Sequence, residues 1–267
     1  MMATFYSQPS GTAKRSLAAA IVLFTAVTGL LADESHNKTY AARAGAEFQR
    51  ALTHFQSDTN NATNIWQFAR ACFDFSDFTT NDTQRATVAI QGIAASRQYI
   101  ARQPKSAAGH YYLALNLGEL ARTELLGALK LVKEMEREFK TAAELDAQFD
   151  HAGPERNLGL LYRDAPGWPT SIGSKRKARA LLEQAARLAP DYPENRLILV
   201  ESRLQWKERG DASGELKTLD ALWPKAQTNF TGVIWEQSWA DWIIRRDKAH
   251  QQLDEAAAPA KSSKSSR

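Results

Sequence analysis

Apolar residues along this chain recur at intervals of three and four positions, and alternating apolar and polar runs are scarce. That spacing places the apolar side chains on one face of an α-helix. We therefore predict an all-α fold of about ten helices. The predicted helices cover residues 39–56, 63–75, 81–103, 107–122, 123–149, 154–164, 174–189, 193–209, 213–223 and 229–253.

One pair of predicted helices carries a more specific motif. Leu158, Gly159 and Tyr162 lie on the first helix, and the second helix carries Ala178, Leu182 and Ala185 before Pro190. This spacing resembles the two-helix signature of a tetratricopeptide repeat. Small residues at Gly159, Ala178 and Ala185 would let the two helices approach closely. The resemblance implies a right-handed α-α superhelix of degenerate tetratricopeptide-like helical hairpins, which usually bind other molecules.

Positions equivalent to Gly159 in the other hairpins are predicted at Arg70, Ala114, Val200 and Ile234. Only the last interval, from Val200 to Ile234, equals the standard repeat length of 34 residues. The other intervals require longer helices or loops. We therefore expect a degenerate array of hairpins, closed at its C-terminal end by a tryptophan-rich tenth helix.

The two ends of the chain differ from its body. Lys14 and Arg15 precede an uncharged, largely apolar stretch at residues 16–32, and the first acidic residue is Asp33. This order predicts an export signal at residues 1–32, with a retained membrane anchor as the alternative. Residues 33–255 form the predicted hairpin-repeat domain, and residues 256–267 form a predicted disordered tail. The protein is accordingly expected to be periplasmic or secreted, with membrane contact only through an uncleaved signal.

Composition argues against several kinds of chemistry. Residues 33–255 are almost neutral, which does not favour a nucleic-acid-binding surface. The five histidines are scattered, and no metal-binding or nucleophile motif is found in the sequence. We therefore predict no catalytic residues, metal or cofactor. The single cysteine, Cys72, lies in an apolar helical context, where a buried structural role is expected.

Four segments together resemble the T-component family of TRAP-type transport systems. They are His110–Gly118, Gly153–Tyr162, Ala165–Pro169 and Leu188–Asn195. The resemblance implies an accessory binding protein that works with a solute-binding subunit. Many members carry a lipid anchor, and this chain lacks the cysteine that would hold one. The alternative is an envelope scaffold that binds protein partners without any role in transport.

Candidate binding residues lie on predicted first helices of hairpins and in one loop. Tyr112 and Asn116 share a helix face, where they would bind an apolar ligand with a polar end or, alternatively, pack between hairpins. Arg156 and Asn157 would bind a carboxylate, although Arg156 is also placed to pair with Asp150 or Asp164. Asn195, in the last T-component-like segment, is a further candidate.

The loop at residues 163–174 contains Trp168 between two prolines. A stiff loop that exposes Trp168 would suit recognition of a partner. The alternative is that Trp168 folds back onto the flanking helices.

Overall fold

A computed structural model of the chain describes residues 33–124 and 127–257. The predicted signal at residues 1–32 and residues 258–267 of the predicted tail lie outside the described residues. Residues 256 and 257, also predicted to belong to the disordered tail, instead form the end of the last helix. The described part contains ten helices and no strand, which confirms the all-α class. The helices are α1 (Asp33–Ser57), α2 (Ala62–Ser76), α3 (Asp82–Arg102), α4 (Ala107–Ala121), α5 (Ala128–Leu145), α6 (Phe149–Asp164), α7 (Lys175–Leu188), α8 (Pro193–Gln205), α9 (Arg209–Asn229) and α10 (Glu236–Ala257).

The chain divides into two compact units, which meet in the sequence between Ala189 and Pro190. In the first unit, the main helix pairs are α2 with α3, α4 with α5, and α6 with α7. Helices α2 and α4, and α4 and α6, also contact each other, so the first helices of successive hairpins are neighbours. This is the arrangement that the repeat signature predicts.

The second unit contains α8, α9 and α10. Its core is aromatic: Trp242 is 1% exposed and contacts the rings of Tyr192, Trp235 and Trp239 at centroid distances of 5.4, 6.1 and 5.0 Å. Trp242 also donates a hydrogen bond to Glu194 at 2.6 Å. The tryptophan stripe of the tenth helix is therefore packed into this unit's core.

Helix starts follow from side-chain caps. Asn61 accepts hydrogen bonds from the backbone N–H groups of Thr63 and Asn64, and Asn81 accepts one from Gln84. Ser174 caps α7 in the same way. These short polar side chains satisfy N–H groups that have no partner inside the helix. The predicted start of α3 at Asn81 or Asp82 is confirmed.

Small residues form the crossing between α6 and α7. A Cβ atom added to Gly159 would lie 2.8 Å from Leu182 Cδ2 and 3.3 Å from the Leu182 backbone nitrogen. Ala178 and Ala185 on α7 are fully buried. The motif predicted from the sequence therefore acts as expected, by letting two helices approach. Cys72 is also fully buried, as predicted, and burial raises the pKa of its thiol.

Several predicted boundaries were wrong. The predicted helix 123–149 stops at Leu145, because the Asp146 side chain accepts a hydrogen bond from the Gln148 N–H in a turn. The helix predicted over residues 193–209 ends at Gln205, as α8. Lys207 follows the end of α8 in a left-handed conformation with φ 63°, in the position that glycine usually fills.

The final repeat interval was also wrong. Ile234 lies in a turn before α10 and is 56% exposed, so it is not equivalent to the buried Gly159. The interval from Val200 to Ile234 therefore does not mark a structural repeat, although it equals the standard repeat length.

Candidate functional site

A stripe of aromatic and charged residues runs along α2. Trp66, Arg70 and Asp74 are spaced four residues apart and therefore lie on one face of the helix. Arg70 Nε donates a hydrogen bond to Asp74 Oδ2 at 3.4 Å. The Arg70 side chain is 34% exposed and that of Asp74 is 22% exposed. The pair is thus half-buried and open to solvent on one side.

Aromatic rings connect this stripe to α4. The rings of Trp66 and Tyr112 stack at a centroid distance of 6.2 Å. Tyr112 meets Tyr111 edge-on at 5.3 Å, and Phe149 lies 5.4 Å from Tyr111 and 6.3 Å from Tyr112. Edge-on aromatic contacts of this kind stabilise a fixed arrangement of rings by about 0.5–1.5 kcal/mol each. The rings form a continuous wall from α2 to the start of α6.

An unusual turn follows Phe149. Asp150, His151 and Ala152 have φ values of 53°, 55° and 63°, so three successive residues adopt a left-handed helical conformation. This conformation costs roughly 1–2 kcal/mol per residue for side chains with a Cβ. Contacts with neighbouring side chains must offset that cost. The turn ends at Gly153, where the regular helix resumes with Pro154 in its first turn.

Three side chains hold the turn. The Tyr111 hydroxyl donates to Asp150 Oδ2 at 2.6 Å, and Asn157 Nδ2 donates to the Tyr111 hydroxyl at 3.0 Å. Arg156 lies 3.5 Å from Asp150 Oδ2 and donates to the His151 carbonyl at 3.2 Å. Arg156 is 3% exposed. Arg156 and Asn157 therefore fix the backbone of the turn. For Arg156, this is the role that the sequence analysis gave as the alternative to binding a carboxylate.

We name these residues the aromatic-ionic cluster. It consists of Trp66, Arg70 and Asp74 on α2, Tyr111 and Tyr112 on α4, and Phe149, Asp150, Arg156 and Asn157 on α6. Burial raises the pKa of Asp74 to about 6, although Arg70 opposes this shift, and the nearby Asp150 adds to it. Burial likewise raises the pKa of Tyr112. The phenols are thus neutral hydrogen-bonding groups at physiological pH.

Arg70 and Asp74 retain unused hydrogen-bonding capacity. Arg70 uses only Nε, and its two Nη nitrogens donate to no residue in the described part of the chain. Asp74 Oδ1 is buried and accepts no hydrogen bond from those residues. A guanidinium fork with both Nη groups available matches the geometry of a carboxylate. The cluster can therefore bind an anionic group beside aromatic surface.

The other predicted candidates lie outside this cluster. Asn116 is fully buried one turn beyond Tyr112, and its Nδ2 donates to the Ala69 carbonyl on α2 at 3.0 Å. It thus bridges two helices as a packing residue. Asn195 is 1% exposed in the second unit. Trp168 is 87% exposed in the α6–α7 loop, so it does not fold back onto the flanking helices.

Sequence reasoning missed five residues of the site: Trp66, Arg70, Asp74, Tyr111 and Phe149. The four-residue spacing on α2 was a usable signal, because it placed an aromatic ring, a cation and an anion on one face. Phe149 was hidden because the predicted fifth helix ran through it, whereas the chain leaves that helix at Asp146.

Residues 33–124 and 127–257 contain neither a clustered metal site nor a membrane-spanning helix. No group of three or more His, Cys, Asp or Glu side chains among these residues is arranged to hold a metal ion. No helix in the same part of the chain is both long enough and apolar enough to cross a membrane.

One family model matches part of the chain. It is described as regulator of microtubule dynamics protein 1-3 and matches residues 30–151, which is less than half of the 267 residues. The matched segment contains Trp66, Arg70, Asp74 and both cluster tyrosines. It is a different family from the TRAP T-components, and no comparison shows the T-component resemblance. A search of curated proteins finds no match.

Solved structures show the fold. A thermophilic TPR protein of Thermus thermophilus is similar, with 19% identity, a TM-score of 0.56, and coverage of 80% of this chain and 95% of that chain. MamA gives 14% identity and a TM-score of 0.48, with coverage of 74% and 98%. Yeast Tom70 gives 10% identity and 0.31, with coverage of 83% and 61%. The first of these supports a tetratricopeptide-like fold and, at this identity, nothing further.

Proposed function

We propose that this protein is a non-enzymatic binding module whose first unit holds a carboxylate-bearing segment of a protein partner against the aromatic-ionic cluster. The observation that carries the proposal is the position of Arg70. Its guanidinium is partly exposed, has both Nη groups available within the described chain, and lies on the same helix face as Trp66.

The surroundings of Arg70 favour a peptide over an isolated ion. Trp66 is half-buried one helical turn before Arg70, so its ring provides apolar surface on the same helix face, and it stacks on the buried Tyr112. Aromatic and arginine side chains contribute the largest energies in protein interfaces. The carboxylate of a bound peptide would pair with the Arg70 guanidinium, and the neighbouring peptide side chain would pack against the aromatic ring.

The cluster is also held in place before any ligand binds. Tyr111, Arg156 and Asn157 fix the turn at Asp150, and that turn positions Phe149 against the tyrosines. A site that is already ordered loses less conformational entropy on binding. This order would favour tight binding of a ligand at the exposed part of the cluster.

The location of the protein remains part of the proposal. We propose export directed by residues 1–32, and the test is the N-terminal sequence of the protein recovered from an envelope fraction. A mature N-terminus at Asp33 supports cleavage. An intact Met1 in a membrane fraction supports the retained anchor.

The transporter-accessory role is a prediction from sequence resemblance, and binding to a purified solute-binding subunit would support it.

The family-model match favours a second candidate, a role connected with microtubule dynamics. Its test is co-sedimentation of the full chain with assembled microtubules, compared with the Arg70→Gln variant. Co-sedimentation that depends on Arg70 would make an acidic microtubule segment the carboxylate partner. Absence of co-sedimentation removes this candidate. The peptide-binding proposal is tested separately, with labelled peptides.

That test uses two pools of random hexapeptides labelled with an uncharged fluorophore at the N-terminus, one with a free C-terminal carboxylate and one with a C-terminal amide. Acidic side chains are omitted from both pools. We expect the full chain to bind the free-carboxylate pool more tightly, as measured by fluorescence anisotropy.

Two variants locate the effect. Arg70→Gln should weaken binding of the free-carboxylate pool about tenfold or more, because a charged hydrogen bond contributes roughly 1.5–3 kcal/mol. Arg97→Gln is the matched control, since Arg97 is also helical and its side chain is 57% exposed on α3. Equal binding of both pools, or equal loss in both variants, would contradict the proposal.

A further inference from the structure

Trp168 is the most exposed large apolar side chain among the described residues, at 87%. Tryptophan is usually buried or half-buried, because its indole ring exposes a large apolar area to water. The surrounding residues Gly167, Pro169 and Thr170 are also exposed. Trp168 therefore stands clear of the surface around it.

The loop that carries Trp168 is ordered by its own backbone. The Gly173 N–H donates to the Pro166 carbonyl at 2.9 Å, and the Ser174 N–H donates to the Tyr162 carbonyl at 2.8 Å. A Cβ atom on Gly173 would lie 2.0 Å from the Ala165 carbonyl oxygen, so this close approach requires glycine. The fold thus holds the indole in an exposed position.

Positive charge lies directly beside the loop. Helix α7 begins with Lys175, Arg176 and Lys177, all exposed, and its first turn contains no acidic residue. Cations at a helix N-terminus are unfavourable for the helix, because the helix dipole places positive charge there. The helix dipole therefore does not account for three cations at this position.

The three cations differ in their partners, because Lys175 and Lys177 interact with neighbouring groups and Arg176 does not. Asp164 on the other side of the loop pairs with Arg163 at 2.7 Å. Lys177 lies 4.7 Å from the centre of the Tyr162 ring, and it interacts with Glu136. Arg176 forms no ion pair or hydrogen bond with the described residues. The start of α7 is thus a cationic surface next to an exposed indole.

We propose that Trp168 and the basic start of α7 form a docking surface for an anionic membrane. Tryptophan favours the membrane–water interface, where its ring contacts acyl chains and its N–H stays hydrated. Lysine and arginine beside it attract anionic headgroups. A single projecting indole with flanking cations fits a lipid surface better than a protein groove, which would need a broader complementary apolar area.

This surface is separate from the aromatic-ionic cluster, and its failure would leave the peptide-binding proposal standing. It also differs from contact through an uncleaved signal. Residues 16–32 are present in every variant tested below, so binding through them would be common to all.

The test is flotation of the full chain with vesicles. One set of vesicles contains phosphatidylcholine with about 30% of the anionic lipid phosphatidylglycerol. The other set contains phosphatidylcholine alone. We expect stronger binding to the anionic vesicles. Trp168→Ala should lower the partition coefficient at least about tenfold, from the loss of indole burial. Arg176→Gln should lower it about fivefold.

Matched variants on α3 provide the controls. Ile90→Ala removes an apolar side chain that is 55% exposed, and Arg97→Gln removes one exposed charge. Both should bind anionic vesicles like the parent chain. If Trp168→Ala and Ile90→Ala bind alike, or if neutral vesicles bind as well as anionic ones, the proposal is overturned.

Discussion

The crossing of α6 and α7 gives the sharpest test of the fold. Gly159→Ala adds one methyl group, which would lie 2.8 and 2.9 Å from two Leu182 side-chain atoms and 3.3 Å from the Leu182 nitrogen. Leu182 is 1% exposed, so its side chain has little room to move. Overpacking of this kind costs typically about 1–3 kcal/mol. The better helix propensity of alanine offsets about 1 kcal/mol. We expect a net loss of up to roughly 2 kcal/mol in the free energy of unfolding, in contrast to the gain that alanine gives at an exposed helix site.

Gly214→Ala is the matched control for this change. Gly214 is exposed in α9, and an added Cβ would meet no atom within 4 Å. It should therefore stabilise the protein by up to about 1 kcal/mol. Urea titration followed by circular dichroism at a helix wavelength measures both changes. Adding Leu182→Ala to Gly159→Ala should produce less than the sum of the two single losses, because the clash is relieved. Tight packing at this crossing is refuted if Gly159→Ala stabilises the protein as much as Gly214→Ala does.

Three further predictions concern single positions. Lys207→Gly should stabilise the protein by about 0.5–1 kcal/mol, because Lys207 has φ 63° at the end of α8; a lower urea midpoint would contradict this. Burial raises the pKa of Glu155 to about 7, so its native carboxyl stays protonated to higher pH than in the unfolded chain. The stability gained from this proton is complete below about pH 4.5 and is lost as the pH rises through about 7. Glu155→Gln should therefore reduce the fall in unfolding free energy between these pH values, and an unchanged slope would exclude Glu155 as its cause. Tyr111→Phe should cost roughly 1–3 kcal/mol in thermal or urea unfolding, because Asp150 loses its 2.6 Å hydrogen-bond donor; no change would mean that this bond does not hold the turn.

Helix content and the α6–α7 hairpin could be predicted from the sequence because they depend on local spacing. Gly159, Ala178 and Ala185 are small at positions where two helices meet, and the same residues form the repeat motif. The cap at Asn81 was readable for a similar reason, since it is satisfied within three residues. Such features are encoded by neighbours in sequence.

Features that depend on backbone conformation were not readable. Lys207 and the Asp150–Ala152 turn adopt positive φ values with residues other than glycine, which no common turn signal marks. Tyr111 donates a hydrogen bond to Asp150 in the turn from α4, 39 positions earlier in the sequence. A helix pattern alone therefore extended the fifth helix to residue 149, past its actual end at Leu145.

The candidate site was only partly predictable. Tyr112, Arg156 and Asn157 were identified, but their roles depend on contacts between α2, α4 and α6 that lie far apart in sequence. Asn157 reaches Tyr111 across 46 positions. These contacts decide which side chain is available to a ligand. They leave the Nη groups of Arg70, rather than those of Arg156, without an acceptor among the described residues.

The central claim is that the first unit binds a carboxylate-bearing peptide on the face formed by α2, α4 and the start of α6. Photo-crosslinking tests it most directly. Benzoylphenylalanine is placed at position 66, beside Tyr112, or at the exposed position 90 on α3, and each protein is irradiated with the free-carboxylate peptide pool. We expect crosslinks from position 66 that decline when Arg70 is changed to Gln, with few from position 90. Equal crosslinking from both positions, or crosslinking at position 66 that ignores Arg70, would contradict the claim.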